Sequence, residues 1–350
     1  MNREPLLVPV IIGAVLAFGV LAAWFLKVPS EKTQLGYRGV GMELVENKRT
    51  LAKLKAANAV PEAQPALDPE EIAGPRASEV YENVQVLGDL SEAQFNRIMA
   101  AITEWVSPEQ GCVYCHNEEG NFASDDNYAK IVSRRMFQMT QHINGEWKDH
   151  VGNVGVTCYT CHRGKNVPEY IWFNSKTPKQ EDRMLGRRDS QNEGGLKSSG
   201  YSSLPNAHYA SFLANVGNDN NRRIRIQDKA ALDSGLGATI QDTEWTYGLM
   251  MHMTESLGVN CTFCHNSRAF GSWEQSTPQR VNAWHGIRMV RDLNAAFLEP
   301  LKPVYPDKRL GPTGDAPKAN CTTCHQHVNK PLNGAEMLKD YLASLGSPAK

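Results

Sequence analysis

The sequence predicts a mainly α-helical protein in which one N-terminal membrane-spanning helix precedes a larger domain built as two halves. Three observations predict it: an uncharged apolar run from Pro5 to Leu26, four Cys-x-x-Cys-His motifs grouped as two pairs, and amphipathic helical stretches upstream of the motifs. Few segments alternate apolar and polar residues, so strands are not expected to dominate. At 350 residues the chain is long enough to bury a sizeable interior. Lys+Arg 37 against Asp+Glu 38, with 21% charged residues, excludes an acidic disordered tail protein and a globally basic nucleic-acid binder, so no nucleic-acid partner is expected.

The first element is the run Pro5 to Leu26. Its 22 residues would make a helix about 33 Å long, enough to cross a hydrocarbon core, with Trp24 and Phe25 at the outer interface. The apolar region of a cleaved signal peptide is shorter, which favours a retained anchor over residues 1–28. Arg3 is offset by Glu4 while Lys27, Lys32 and Arg38 follow the helix, so the positive-inside rule points the other way. Long domains translocate largely regardless of such charges, and the cysteine chemistry decides the orientation. Residues 29–90, with Pro61, Pro65 and Pro69, read as an extended juxtamembrane segment draped over a surface.

All eight cysteines belong to the motifs: Cys112-Val113-Tyr114-Cys115-His116, Cys158-Tyr159-Thr160-Cys161-His162, Cys261-Thr262-Phe263-Cys264-His265 and Cys321-Thr322-Thr323-Cys324-His325. Two thiols three positions apart on a tight helical turn can each form a thioether to a porphyrin vinyl group, and the next residue then aims its imidazole at the iron. This is the attachment pattern of haem c. A zinc site leaves the four adjacent histidines unexplained, and a disulfide framework gives no reason for them. The expected cofactors are four covalently bound haem c groups, with His116, His162, His265 and His325 as iron ligands. Attachment takes place outside the cytoplasmic membrane, which places the bulk of the chain in the periplasm and the anchor in the inner membrane.

The motif histidines are 46 residues apart in the first pair, 60 in the second and 103 across the middle. This spacing predicts a multihaem cytochrome c domain of two di-haem halves, 91–165 and 241–330, joined by a connector over 166–240 and followed by a C-terminal tail over 331–350. Within the connector, Ser190 to Gly195 and Asn218 to Asn221 read as loops.

A haem iron takes a sixth ligand, and histidine–methionine raises its potential relative to bis-histidine. Before the first motif, Ser91 and Gln94 form a capping box, and Phe95, Ile98, Met99, Ile102 and Val106 share a face of a helix that Pro108 and Gly111 end. Before the second, Ile131, Val132, Met136, Met139 and Ile143 share a face, and before the third, Trp245, Leu249, Met250, Met253 and Leu257, with Gly258 as the stop. The fourth motif is preceded by a helix expected to start at Thr277-Pro278, whose Met289 lies 36 residues before His325. Its sixth ligand is expected from elsewhere, and spacing does not choose among His142, His150, His208, His252, His285 and His327.

Longer strings carry a resemblance. Gly36-Tyr37-Arg38-Gly39-Val40-Gly41-Met42, Arg135-Met136-Phe137-Gln138-Met139-Thr140, Gly155-Val156-Thr157 into the second motif with Arg163-Gly164 after it, Leu249-Met250-Met251, and Ile287-Arg288-Met289-Val290-Arg291-Asp292-Leu293-Asn294 resemble the tetrahaem cytochrome subunits of photosynthetic reaction centres, from about Gln34 to Lys330. The resemblance implies Met99, Met136 and Met250 as sixth ligands of haems 1, 2 and 3, and His150 crossing over to haem 4 opposite His325. It implies electron relay without bond-making catalysis, from a soluble cytochrome c or high-potential iron–sulfur protein to the photo-oxidised special pair. It also implies docking on the periplasmic side of the reaction-centre core, with haems in the spatial order 3, 4, 2, 1. Many members of that family carry lipid on an N-terminal cysteine; no cysteine precedes Cys112 here, and a retained helix is expected as the anchor. A membrane-anchored tetrahaem quinol dehydrogenase or another respiratory multihaem carrier is the rival. The methionine helices before three motifs and the lack of a convergent acid/base pair weigh against it.

Overall fold

The computed structural model describes residues 7–26, 28–39, 41–117, 120–174, 208–214, 224–226 and 240–346. It is mainly helical, as expected. The loops read at Ser190 to Gly195 and Asn218 to Asn221 lie outside the described residues.

The first helix, α1 (Leu7–Leu26), runs through the apolar segment for 20 residues without a charged side chain. Among the described residues no helix is long and apolar enough to cross a membrane. Within α1 the described side chains are those of 9–19 and 21, a run shorter than a membrane span. All of them are exposed, Val10, Ile11, Ile12, Val15, Leu16, Phe18 and Leu21 included.

Residues 29–90 are more ordered than the extended segment expected. Strand β1 (Ser30–Leu35) pairs antiparallel with β2 (Met42–Asn47), Ser30 opposite Asn47 and Leu35 opposite Met42. The turn uses the glycine-rich string: Gly36 has φ +86, and a Cβ there would lie 2.3 Å from the Thr262 carbonyl oxygen. Asn47 caps α2 (Lys48–Ala57), its side-chain oxygen accepting from Arg49 N at 2.8 Å. Two single turns follow, α3 (Pro69–Ile72) and α4 (Ala77–Val80). The hairpin escapes a search for alternation because every strand residue is exposed or half-buried.

The first half contains α5 (Glu92–Val106), α6 (Tyr128–Glu146), α7 (Lys148–Val151) and α8 (Cys158–His162). The expected capping box opens α5: Ser91 Oγ accepts from Gln94 N at 3.2 Å and Gln94 Oε1 accepts from Ser91 N at 3.0 Å. The connector contributes α9 (His208–Phe212), with Tyr209, Phe212 and Leu213 fully buried. The second half contains α10 (Ile240–Leu257), α11 (Gln279–Leu293) and α12 (Cys321–His325). Gly258 stops α10 as expected, at φ +61, where a Cβ would lie 2.3 Å from the His327 carbonyl oxygen. The expected Thr277 cap of α11 is not formed. Pro278 occupies the N-cap position, and the Thr277 hydroxyl donates to the Phe263 carbonyl at 2.5 Å inside the third motif.

The C-terminal segment is no free tail. It contains α13 (Leu342–Leu345), and Leu338, Tyr341 and Leu345 are buried in one cluster with Leu90 and with Ile98, Trp105 and Phe137 of the first half. Trp105 and Tyr341 meet edge to face at 4.8 Å. The halves are also joined directly. Ile143 and Val156 pack with Met289, Leu293 and Phe297, while Asp292 accepts from Trp147 Nε1 at 3.0 Å and pairs with His142 Nε2 at 2.7 Å.

Candidate haem sites

The four motifs adopt two local structures in alternation. The first and third turn as 3-10 segments, Gly111–Tyr114 and Cys261–Phe263, with His116 N and His265 N donating to the carbonyl of the first cysteine at 3.0 and 2.9 Å. The second and fourth are the α-turns α8 and α12, each ended by a left-handed residue, Arg163 or Gln326. The cause lies in the residue before the second cysteine. Thr160 Oγ1 accepts from Thr157 N at 3.0 Å and Thr323 Oγ1 from Asn320 N at 2.9 Å, closing capping boxes that Tyr114 and Phe263 cannot make.

Each motif histidine faces a backbone carbonyl through Nδ1. His116 meets Phe122 O at 3.3 Å and His265 meets Phe270 O at 2.9 Å, each ring beside the same phenylalanine. His162 meets Lys165 O at 2.9 Å and His325 meets Val328 O at 3.0 Å. A carbonyl can only accept, so the proton sits on Nδ1 and Nε2 keeps its lone pair for iron. Burial is the first cause holding all four imidazoles below the ordinary histidine range, and it favours the neutral form that ligates; for His325, burial and then His150 beside it bring the value down to about 4.

The residues expected to hold the first two haems converge. Met99, Cys112, Cys115 and His116, together with Met136, Cys158, Cys161 and His162, all line one cavity of about 760 Å³. That volume is on the scale of large ligand pockets, about 300–1,000 Å³. The faces read from the sequence are largely its walls: Phe95, Met99, Ile102 and Val106 from α5, and Val132, Met136, Met139 and Ile143 from α6. Ile98 instead turns into the core with Ala101 and Trp105, and Ile131 is exposed. An apolar cavity that ends in paired thiols, a neutral imidazole and a thioether fits a covalently attached porphyrin, so the residues suit haem c.

At the third site, α10 carries Met250 half-buried, packed with Met253 on the cluster of Trp172, Tyr209 and Leu249, while Met251 is exposed. The three methionines expected as ligands share a spacing that the other methionines of these helices lack. Met99, Met136 and Met250 are each followed four residues later by threonine, at Thr103, Thr140 and Thr254, whereas Met139, Met251, Met253 and Met289 are not.

At the fourth site, His150 on α7 faces His325 with ring centroids 6.1 Å apart. Imidazoles bind metals at about 2.0–2.1 Å, and adding the distance from nitrogen to ring centre on both sides puts two axial imidazoles about 6 Å apart. His150 Nδ1 faces Asn282 O at 3.0 Å, again leaving Nε2, and Gly286 makes the room: a Cβ there would lie 2.6 Å from His150 Cε1. The other candidates are engaged elsewhere. His142 pairs with Asp292, His252 with Tyr209 and Cys321 N, His327 with Glu255 O, His285 lies 3.9 Å from Asp149, and His208 packs on the Tyr209 ring. Met289 is buried in the core between the halves.

The second and fourth motifs lie back to back, with Cys161 Sγ and Cys324 Sγ 2.7 Å apart and Arg163 Nη2 donating to Cys324 O at 3.1 Å. Helix α5 packs on α8 as α10 packs on α12, so the two halves repeat one relation. The hairpin clamps the third motif: Thr262 Oγ1 accepts from Met42 N and donates to Leu35 O, both at 2.9 Å, and Asn260 Nδ2 donates to Met42 O at 2.9 Å. No sequence signal had tied this segment to a motif. Among the described residues no three His, Cys, Asp or Glu side chains converge on a metal-ion site.

Paired thiols, a ligand-ready imidazole and an apolar cavity in a mainly helical fold define a c-type cytochrome. A family model described as photosynthetic reaction centre cytochrome C subunit matches residues 27–344, and the chain belongs to that family. It is similar to the photosynthetic reaction center cytochrome c subunit of Rubrivivax gelatinosus, 50% identical over 322 residues that make up 92% of this chain and 85% of that one. The protein of the same name from Thermochromatium tepidum is 51% identical over 313 residues, 89% of this chain and 74% of that one. That of Roseobacter denitrificans is 45% identical over 285 residues, 78% and 75% of the two chains. Membership brings with it covalently bound haem c and the role of electron carrier.

Proposed function

We propose that the chain binds four haem c groups and relays electrons from a soluble periplasmic donor, a small cytochrome c or a high-potential iron–sulfur protein, to the photo-oxidised special pair of a reaction-centre core. The observation that carries this reading is the convergence of both thiol pairs, both motif histidines and both upstream methionines of the first half on one cavity. Haem c supplies reversible one-electron iron chemistry when bound. The chain's residues set where that chemistry sits. Each Nδ1 proton is committed to a carbonyl, which orients the imidazole, and Met99, Met136 and Met250 offer a thioether from the other side. His150 offers an imidazole opposite His325, making the fourth site bis-histidine and lower in potential than the histidine–methionine sites.

The alternating motif structures support a domain of two di-haem halves, and the contact of Cys161 with Cys324 supports sites 2 and 4 as neighbours, consistent with the order 3, 4, 2, 1. Helix α1 serves as a single-pass anchor in this reading. At 20 residues it is about 30 Å long, and apolar side chains exposed on every side need lipid or neighbouring membrane helices around them. Replacing residues 1–28 by a cleavable signal is expected to release the domain from membranes at high salt; full retention would make docking, and not α1, the anchor.

The functional test is a light flash on membranes containing the complex with its haems reduced beforehand. Loss of ferrous c-type absorbance following the flash is the expected result. A chain that is present and reduced yet unchanged by light would contradict the proposal.

A further inference from the structure

Two threonines that belong to no motif occupy the same place at the first two sites. Thr103 Oγ1 donates to Met99 O at 2.9 Å and Thr140 Oγ1 donates to Met136 O at 2.9 Å. Each hydroxyl also meets the first cysteine of its own motif. Thr103 Oγ1 lies 4.0 Å from Cys112 Sγ, and Thr140 lines the cavity beside Cys158, whose thiol burial pushes up, to about 12 overall, with the Thr140 hydroxyl acting in the opposite sense. All four of these residues line the shared cavity. The contacts to sulfur span 9 residues at the first site and 18 at the second, so chain proximity does not explain the repeat.

We infer that Thr103 and Thr140 are positioning residues, each using one hydroxyl to tie the backbone of its axial methionine to the first thioether of the same haem. A threonine hydroxyl that bonds back to the carbonyl four residues earlier competes with the helix ladder and bends the helix locally. That hydrogen bond falls within the turn that carries the methionine, and the cysteine sulfur beside the oxygen places that turn against the edge where the porphyrin attaches. Once alkylated, the sulfur has no proton; the hydroxyl stays donated to the methionine carbonyl, and the sulfur packs on its oxygen. Thr254 holds the matching position after Met250 but donates to Met251 O at 2.9 Å, so the third site is left out of the inference.

The inference rests on the axial roles proposed for Met99 and Met136, and its test separates the two. Thr103→Val and Thr140→Val keep side-chain shape and remove the oxygen, Thr103→Ser and Thr140→Ser keep the oxygen, and Met99→Leu and Met136→Leu serve as controls, all in the haem-loaded full chain. The readouts are the midpoint potentials and the charge-transfer absorption from methionine sulfur to ferric iron. Each valine variant is expected to shift one potential downward and weaken the absorption, and each serine variant to restore both. Valine variants that match the wild type, or serine variants as perturbed as valine, overturn the inference while the leucine controls still report axial methionine. Leucine controls without effect overturn the axial reading and the inference with it. Thr140 is buried and Thr103 half-buried, so if Thr140→Val fails to accumulate, Thr103 carries the same comparison.

Discussion

Replacing His150 by alanine is expected to convert the fourth haem from a low-spin bis-histidine centre to one lacking its sixth protein ligand, and to move the lowest of the four potentials. It should also loosen the joint between the halves. His150 sits on α7 of the first half, its ring fills the space left by Gly286 on α11, and its Nδ1 is committed to Asn282 O. Deleting the ring leaves a cavity and an unpaired carbonyl, a cost of about 2 kcal/mol before any loss of ligation is counted. Thermal unfolding should therefore begin several degrees lower, with the fourth haem changed first. Gly286→Ala probes the same contact from the other side, since its Cβ would lie 2.6 Å from His150 Cε1 and must displace the ring. An unchanged lowest potential in both variants would remove His150 from the site.

Met99→His is expected to lower one potential by on the order of 0.1 V, a fraction of the roughly 0.8 V that axial ligation spans, because imidazole stabilises ferric iron better than a thioether does. Met99 lies on the cavity face of α5 and the substitution adds no charge when the ring is neutral, so the other three potentials should stay near their wild-type values. Redox titration of the purified variant decides the matter. Four unshifted potentials would show that Met99 is packing and not a ligand.

What could be read from the sequence was local. The motif is complete within five residues, so its cysteines and histidines needed no tertiary information. The capping box at Ser91 depends only on near neighbours, and the left-handed backbone at Gly258 is marked by the glycine itself; both formed. The methionine faces were legible as periodicity because a cavity wall is apolar like any core face, and for the same reason periodicity admitted Ile131, which is exposed. Met250 was ambiguous because Met251 and Met253 lie beside it on the same helix. Long-range contacts left no such trace. The segment 331–350 read as a tail because Leu338, Tyr341 and Leu345 find their partners in Leu90, Ile98 and Trp105, more than two hundred residues earlier. Thr277 has the composition of a cap, but its hydroxyl is drawn to the Phe263 carbonyl. His150 looks in sequence like any surface histidine, and only the geometry of α7, Gly286 and His325 separates it from the other candidates.

The coordination pattern is the physical core of the account, and magnetic spectroscopy of the intact oxidised protein tests it most directly. The account predicts four low-spin haems, three with histidine–methionine signals and one with a bis-histidine signal, the last belonging to the lowest potential. Four histidine–methionine signals, or a high-spin haem in the unaltered protein, would contradict it.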